Sequence, residues 1–239
     1  MSFAKMLRET YPYKTELHCH TFPCSSCATV SPEQIVRLYA LDGYHSVVIT
    51  NHLFFEGIKS SRSLEKAVDS QIADFERARA EGERVGLNVI FAAELRFDGS
   101  INDYLFHGPD PDFYMELDVK KIHTVEDFSR AYRNESNLLL QAHPFRTGMT
   151  LAPLELIDGI EAFNLNIRHN SRVGIASKYV EENRLYSICG TDFHHTGDGQ
   201  LSAACTRQPV KTAGELVKII RDGDLCWKIG NAYIVDNDA

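Results

Sequence analysis

The sequence predicts an α/β protein built as a (β/α) barrel around a mostly parallel sheet, and three observations predict it. Short apolar runs alternate with longer amphipathic ones along the chain, the order in which βα units place strands and helices. Most of the short runs are continuously apolar, as strands covered on both faces are. The 239 residues match the roughly 250 of a single barrel of this type.

The strands are expected at 16–18, 46–50, 88–93, 138–142, 159–163 and 185–190. Between them the pattern predicts helices over 32–41, 64–83, 125–134, 172–183 and 213–221. Ser31-Pro32-Glu33 opens the first of these well: Ser caps, Pro suits the first turn, and Glu meets the positive end of the dipole. In the helix over 64–83, Leu64, Ala67, Val68, Ile72 and Phe75 recur near helical spacing and read as packing. The segment 101–113 reads as an extra strand and a loop, and 201–230 as a final barrel unit. No linker, repeat or low-complexity tract interrupts the chain, which predicts one domain over 1–239.

Composition narrows the function. Hydrophobic residues make up 44% and charged residues 24%, which excludes a disordered or fibrous class. The 25 basic against 33 acidic residues leave a net charge of −8, which disfavours non-specific binding to duplex nucleic acid. No run approaches the ~18 apolar residues that span a bilayer, and the opening MSFAKMLRETYPYK has no apolar signal core. Six cysteines are too few for a disulfide scaffold of this length. A cytoplasmic protein with reduced thiols is expected.

The chemistry lies where the strands end. One apolar run leads into His18 and His20, the next into His52, the next into Glu94, then His143, then Asp192 followed by His194 and His195. With 33 acids and 10 histidines in the chain, a ligand within two positions of a run's end arises by chance about one time in three. Five runs in succession reduce that to about four in a thousand. A parallel barrel opens all its strand carboxyl ends onto one face, so these side chains converge there. His18 and His20, two apart at a strand end, project together. Imidazoles with carboxylates suit Zn²⁺, Mn²⁺ or Fe²⁺. The donors exceed the needs of one ion, so two to three divalent ions are expected, with Glu94 as a bridge.

In order, ELHCHT at 16–21, VVITNH at 47–52, AAEL at 92–95, QAHPF at 141–145, EAFN at 161–164 and GTDFHH at 190–195 resemble the polymerase and histidinol phosphatase (PHP) superfamily of metal-dependent phosphoesterases. The resemblance implies a distorted (β/α)₇ TIM-like barrel. It implies a first ion on His18, His20, Glu94 and Asp192, and a second on Glu94 and His143 with either Asp103 or His107. A third ion would use His52 and His194 with a ligand from the loop after His20. That loop reads TFPCSSCATV where the family places Asp or His, so the third site is weak, empty or completed by a thiolate. Asn51 stands where the family has Asp. Cys24 and Cys27, half of a zinc-knuckle spacing, read as loop cysteines.

Arg146, Arg168, Arg172 and Asn164 follow strand ends and are candidates for holding a substrate phosphate, Arg because its planar fork matches that group. His195 is a candidate general acid beside Glu94 and Asp192. His45, His123 and His169 read as structural. The function expected is hydrolysis of a small phosphorylated substrate, such as histidinol phosphate, a nucleotide or a sugar phosphate, with metal-activated water. A single-strand nuclease and a non-catalytic metal-binding module are the alternatives.

Overall fold

The computed structural model describes residues 2–61, 63–199 and 201–235. Strands β1 (Tyr13–Cys19), β2 (Ser46–Phe54) and β3 (Asn88–Arg96) run parallel, β4 (Asp103–His107) runs back antiparallel, and β5 (Leu138–Gln141), β6 (Gly159–Asn164) and β7 (Tyr186–Gly190) resume the first direction. The sheet curls until the segment after β7 meets the end of β1. There Cys19 bridges Phe193 in parallel, and the His20 N–H donates to the Phe193 carbonyl at 2.9 Å.

Two features depart from a plain βα repeat. The ambiguous 101–113 segment supplies β4 and places it antiparallel between β3 and β5. The 201–230 segment does not extend the parallel set. Instead β8 (Ser202–Thr206), β9 (Leu225–Ile229) and β10 (Ala232–Ile234) form an antiparallel ladder on the other edge of β1.

The helices are α1 (Phe3–Thr10), α2 (Pro32–Leu41), α3 (Phe55–Ser61), α4 (Leu64–Val85), α5 (Pro111–Met115), α6 (Val125–Tyr132), α7 (Val173–Asn183) and α8 (Ala213–Asp222). Helix α2 starts on a reciprocal cap in which Ser31 takes the Gln34 N–H and Gln34 takes the Ser31 N–H. Thr124 and Thr212 begin α6 and α8 in the same way. Helix α4 stops at Gly86, whose φ of 78° is a left-handed C-cap that glycine adopts without strain.

Core residues such as Leu95, Leu105, Leu140, Ile160 and Ile188 are fully buried on successive strands. Each such side chain contributes about 1.5–3 kcal/mol by leaving water. A second cluster, including Val36, Tyr39, Val47 and Phe193, joins α2 to β2 and to the segment after β7. Helix α4 does more than pack. Alongside buried Ala67 and Val68 it sinks Gln71 and Asp74 toward the strand ends. Gln71 donates to the carbonyls of Asn51 and His52, while Asp74 accepts from the Thr21 hydroxyl and the Cys24 N–H. A long helix is thereby pinned to the rim where the histidines lie.

Candidate metal centre

Eight of the nine residues expected as metal ligands meet in three groups at this rim: His18–His20–Asp192, Glu94–Asp103–His143 and His20–His52–His194. Within each group the donor atoms all lie within 4.8 Å of one another. Counting Asp103 and His194, the groups absorb every expected ligand except His107.

Strand β1 builds the first group through a local irregularity. Its pairing with β2 shifts register between Glu16 and Cys19. The buried Glu16 carboxylate takes up the Leu17 and His18 N–H groups at 3.1 and 3.0 Å and the Thr191 N–H at 2.9 Å. Burial pushes the Glu16 carboxyl up to about 7, against the hydrogen bonds from Thr191 and His18 that lower it. The staple brings the His18 and His20 Nε2 atoms to 3.0 Å. Asp192 Oδ1 faces them at 3.5 and 3.3 Å, and Glu94 does so from the other side at 3.5 and 3.4 Å. Asp192 and His143 hold φ of 49° and 30°, strained for residues with side chains, a cost that concentrates at functional sites.

Glu94 touches four imidazoles: His18, His20, His52 at 2.8 Å and His143 at 3.2 Å. Burial raises its pKa, but the His18 and His52 charges and the His143 contact outweigh burial and hold the carboxyl well below its usual range. Asp192 is likewise held low against burial by His18, His169 and His20. Conversely, burial works against charge on His18, yet Glu161, Asp192 and Glu94 raise it well above an ordinary imidazole. Burial and the His52 charge push His20 down.

This donor set fits divalent cations. His52 Nδ1 and Glu94 Oε2 lie 2.8 Å apart, yet among the described residues neither has a hydrogen bond, and buried His143 Nδ1 has none either. Buried polar atoms are normally satisfied. Atoms that converge without aligning as donor and acceptor are arranged as ligands are.

The direction of β4 decides between Asp103 and His107. An antiparallel strand presents its amino end at the rim, so Asp103 reaches His143 at 3.9 Å while His107 sits at the opposite end. His107 is therefore corrected from candidate ligand to interior residue. Both its ring nitrogens are buried without a partner among the described residues, and burial, with a smaller push from His18, lowers it to about 3. Arg96 grips Asp103 through two bonds of 2.7 and 2.8 Å.

The expected substrate contacts are less available. Asn164 turns inward: its amide donates to Glu161 at 2.9 Å, and its carbonyl accepts from the Asn166 N–H and the Ser171 hydroxyl. It is a support, corrected from a substrate contact. Arg172 is spent on the Phe145 carbonyl and the Thr147 hydroxyl, tying down the segment after His143. Arg168 pairs with buried Asp198. Arg146 stays at the rim with one 3.4 Å contact to Asp103. His195 lies beside His194 and outside the three groups, its Nδ1 2.9 Å from the Thr29 hydroxyl. Of the 196–200 loop, Gln200 lies outside the described residues.

Sequence reasoning missed two contributors, Glu161 and His169, and left open a third, Cys27, in the loop where a thiolate was one of the expectations for the third site. Glu161 Oε1 lies 2.9 Å from His18 Nδ1, and its Oε2 accepts the His143 N–H at 3.0 Å. An acid inside the apolar run of β6 was the available signal, since a buried charge needs a partner. His169, read as structural, sits with Nε2 3.3 Å from Asp192 Oδ2. Cys27 Sγ lies 3.2 Å from His52 Nε2. Burial raises its pKa, but bonding to His194 and His52 draws the thiol down to about 6.

A cleft of about 400 Å³ elsewhere is lined by Arg133, Asp158 and Arg221. No histidine lines it, and Arg133 and Arg221 are engaged by Asp158 and backbone carbonyls.

Fold and site together define a mixed α/β protein with a curled sheet and a rim cluster of histidines and carboxylates. Three solved structures share the fold. A two-domain protein from Bacteroides vulgatus ATCC 8482 that contains a predicted PHP-like metal-dependent phosphoesterase is 15% identical, with a TM-score of 0.64 over 95% of this chain and 67% of that one. PsfC from Pseudomonas syringae PB-5123 is 14% identical, with a TM-score of 0.62 over 95% and 92%. An amidohydrolase from Chromobacterium violaceum, with bound sulfate and no metal, is 12% identical, with a TM-score of 0.52 over 77% and 88%. No family model matches the sequence, and neither does any curated protein. The chain shares the fold of these proteins, and the likeness is one of architecture. No described helix is long and apolar enough to cross a membrane.

Proposed function

We propose that this chain is a single-domain PHP-type phosphoesterase, its curled sheet a distorted (β/α)₇ barrel, acting on small phosphorylated substrates. The observation that carries the reading is the sharing of Glu94 and Asp192 among imidazoles from β1, β2 and the segments after β5 and β7. Anions held between several imidazole nitrogens suit neighbouring cations, because a shared carboxylate offsets the repulsion between them. Divalent ions such as Zn²⁺, Mn²⁺ or Fe²⁺ bound there would supply the positive charge that acidifies a water and neutralises a phosphoryl group.

His18, His20, Glu94 and Asp192 would hold one ion, Glu94, Asp103 and His143 a second, and His52 and His194, with a ligand from the loop after His20, a third. The chain's remaining residues orient and neutralise. Glu161 holds the His18 ring through Nδ1, leaving Nε2 for the centre. Arg146, whose single contact with Asp103 is long, is the rim cation most readily turned to a phosphate oxygen. His195, at the edge beside the Thr29 hydroxyl, is the candidate proton donor to a leaving group.

The test is phosphate release from p-nitrophenyl phosphate with added Mn²⁺ or Zn²⁺, comparing wild type with Asp192→Ala. The expected result is metal-dependent release by wild type, reduced by at least 100-fold in the variant, on the scale of losing a metal ligand. Equal rates for the two would remove the assignment.

A further inference from the structure

We propose that Cys27 is a sulfur ligand of the His20–His52–His194 group, making this a mixed thiolate–imidazole site selective for borderline ions such as Zn²⁺ over Mn²⁺ or Mg²⁺. The inference rests on the metal-centre reading above and adds to it a ligand of a different chemical kind.

Cys27 is exposed, but its thiol is engaged by the rim histidines. Its Sγ lies 3.2 Å from His52 Nε2, His194 is its other hydrogen-bonding neighbour, and it is in no disulfide. The loop that carries it is fastened at several points. Asn51 Oδ1 accepts from the Thr21 N–H and the Ser25 hydroxyl at 2.8 Å each, and Asn51 Nδ2 donates to Thr21 Oγ1 at 2.7 Å. Ser25 Oγ in turn accepts the His52 N–H at 3.1 Å. The Thr29 N–H donates to the His194 carbonyl at 2.9 Å. Both imidazoles beside the thiol are thus tied by backbone to the loop that holds it. Preorganisation of this kind holds a ligand at its productive distance.

A second observation points into the same place. Fully buried His20 holds its ring 4.3 Å from the rings of both His52 and His194, and the three offer donor atoms within 4.8 Å of one another. Where an aspartate or histidine would favour hard or borderline ions alike, a thiolate shifts preference toward softer ones. Asn51 fits this arrangement, since its amide both accepts and donates in holding the loop and an aspartate only accepts.

The test is cobalt spectroscopy of the full chain. Co²⁺ on imidazoles and carboxylates gives visible ligand-field bands, whereas a thiolate ligand adds an intense near-ultraviolet sulfur-to-cobalt charge-transfer band. The expected result is that band in wild type and in Cys24→Ser, its loss in Cys27→Ser, and persistence of the visible bands in all three. Cys27→Ser should also raise the Zn²⁺ dissociation constant of one site by about 10–100-fold while leaving Mn²⁺ binding within about threefold. Visible bands without a charge-transfer band, or a band that survives in Cys27→Ser, overturn the cysteine ligand and leave the metal centre standing. No cobalt bands at all overturn both.

Discussion

Glu161 Oε1 lies 2.9 Å from His18 Nδ1, both side chains fully shielded from water, and this contact joins β6 to the end of β1. It fixes which nitrogen of His18 points outward. A carboxylate on Nδ1 favours the tautomer that leaves Nε2 free, and Nε2 is the atom facing His20, Glu94 and Asp192. Glu161 is itself held by the His143 N–H and the Asn164 amide, so one buried acid sets the aim of two histidines.

The Glu161→Gln variant should therefore lose metal affinity while keeping its fold. Partners of metal-binding histidines are worth about 10–100-fold in affinity. Titration calorimetry with Zn²⁺ measures the loss, and an unchanged circular dichroism spectrum excludes unfolding. An affinity within twofold of wild type would mean that Glu161 does not orient His18.

Gly190 has no room for a side chain. A Cβ there would lie 2.5 Å from both Glu161 Oε1 and His18 Cβ. Gly190→Ala should force apart the contact just described, at about 1–3 kcal/mol of stability. We expect a lower urea midpoint at unchanged slope, together with weakened metal binding. A variant equal to wild type in both measurements would refute the close approach.

His107 predicts a specific acid sensitivity. Its pKa falls from 6.5 to about 3 on folding because burial disfavours the charged ring. The unfolded chain therefore takes up a proton first as pH falls, so stability is intact above 6.5 and is lost progressively from there toward 3. Between pH 7 and pH 5 this single group accounts for about 2 kcal/mol. In His107→Leu that share disappears, and the difference between variant and wild type should grow in the variant's favour as the solution is acidified. Urea denaturation at a series of pH values checks this; parallel pH profiles for the two proteins would refute it.

Much of the centre was legible in the chain because strands carry ligands to one rim by simple alternation of runs and ends. His18, His20, His52, Glu94, His143, Asp192 and His194 all follow or close apolar runs, and all seven converge. The strands and helices were legible for the same reason, since buried strands are apolar throughout and helices repeat every three to four residues. The misplaced residues have a common cause. His107 and Asp103 are four positions apart on one short strand, and only its direction says which end reaches the rim. Asn164 and Arg172 follow strand ends as the clustered histidines and acids do, yet Glu161 and the segment after His143 consume their hydrogen bonds.

Sequence alone determined the α/β class, the rim and most of its donors, because burial and periodicity are local properties of a chain. Tertiary structure decided the direction of β4, the antiparallel ladder beyond β1, the partner of His18, and the placing of Cys27 against His52 and His194. Those depend on which segments meet across the fold. Residues 143 positions apart, as His18 and Glu161 are, leave no trace of their contact in the spacing of either.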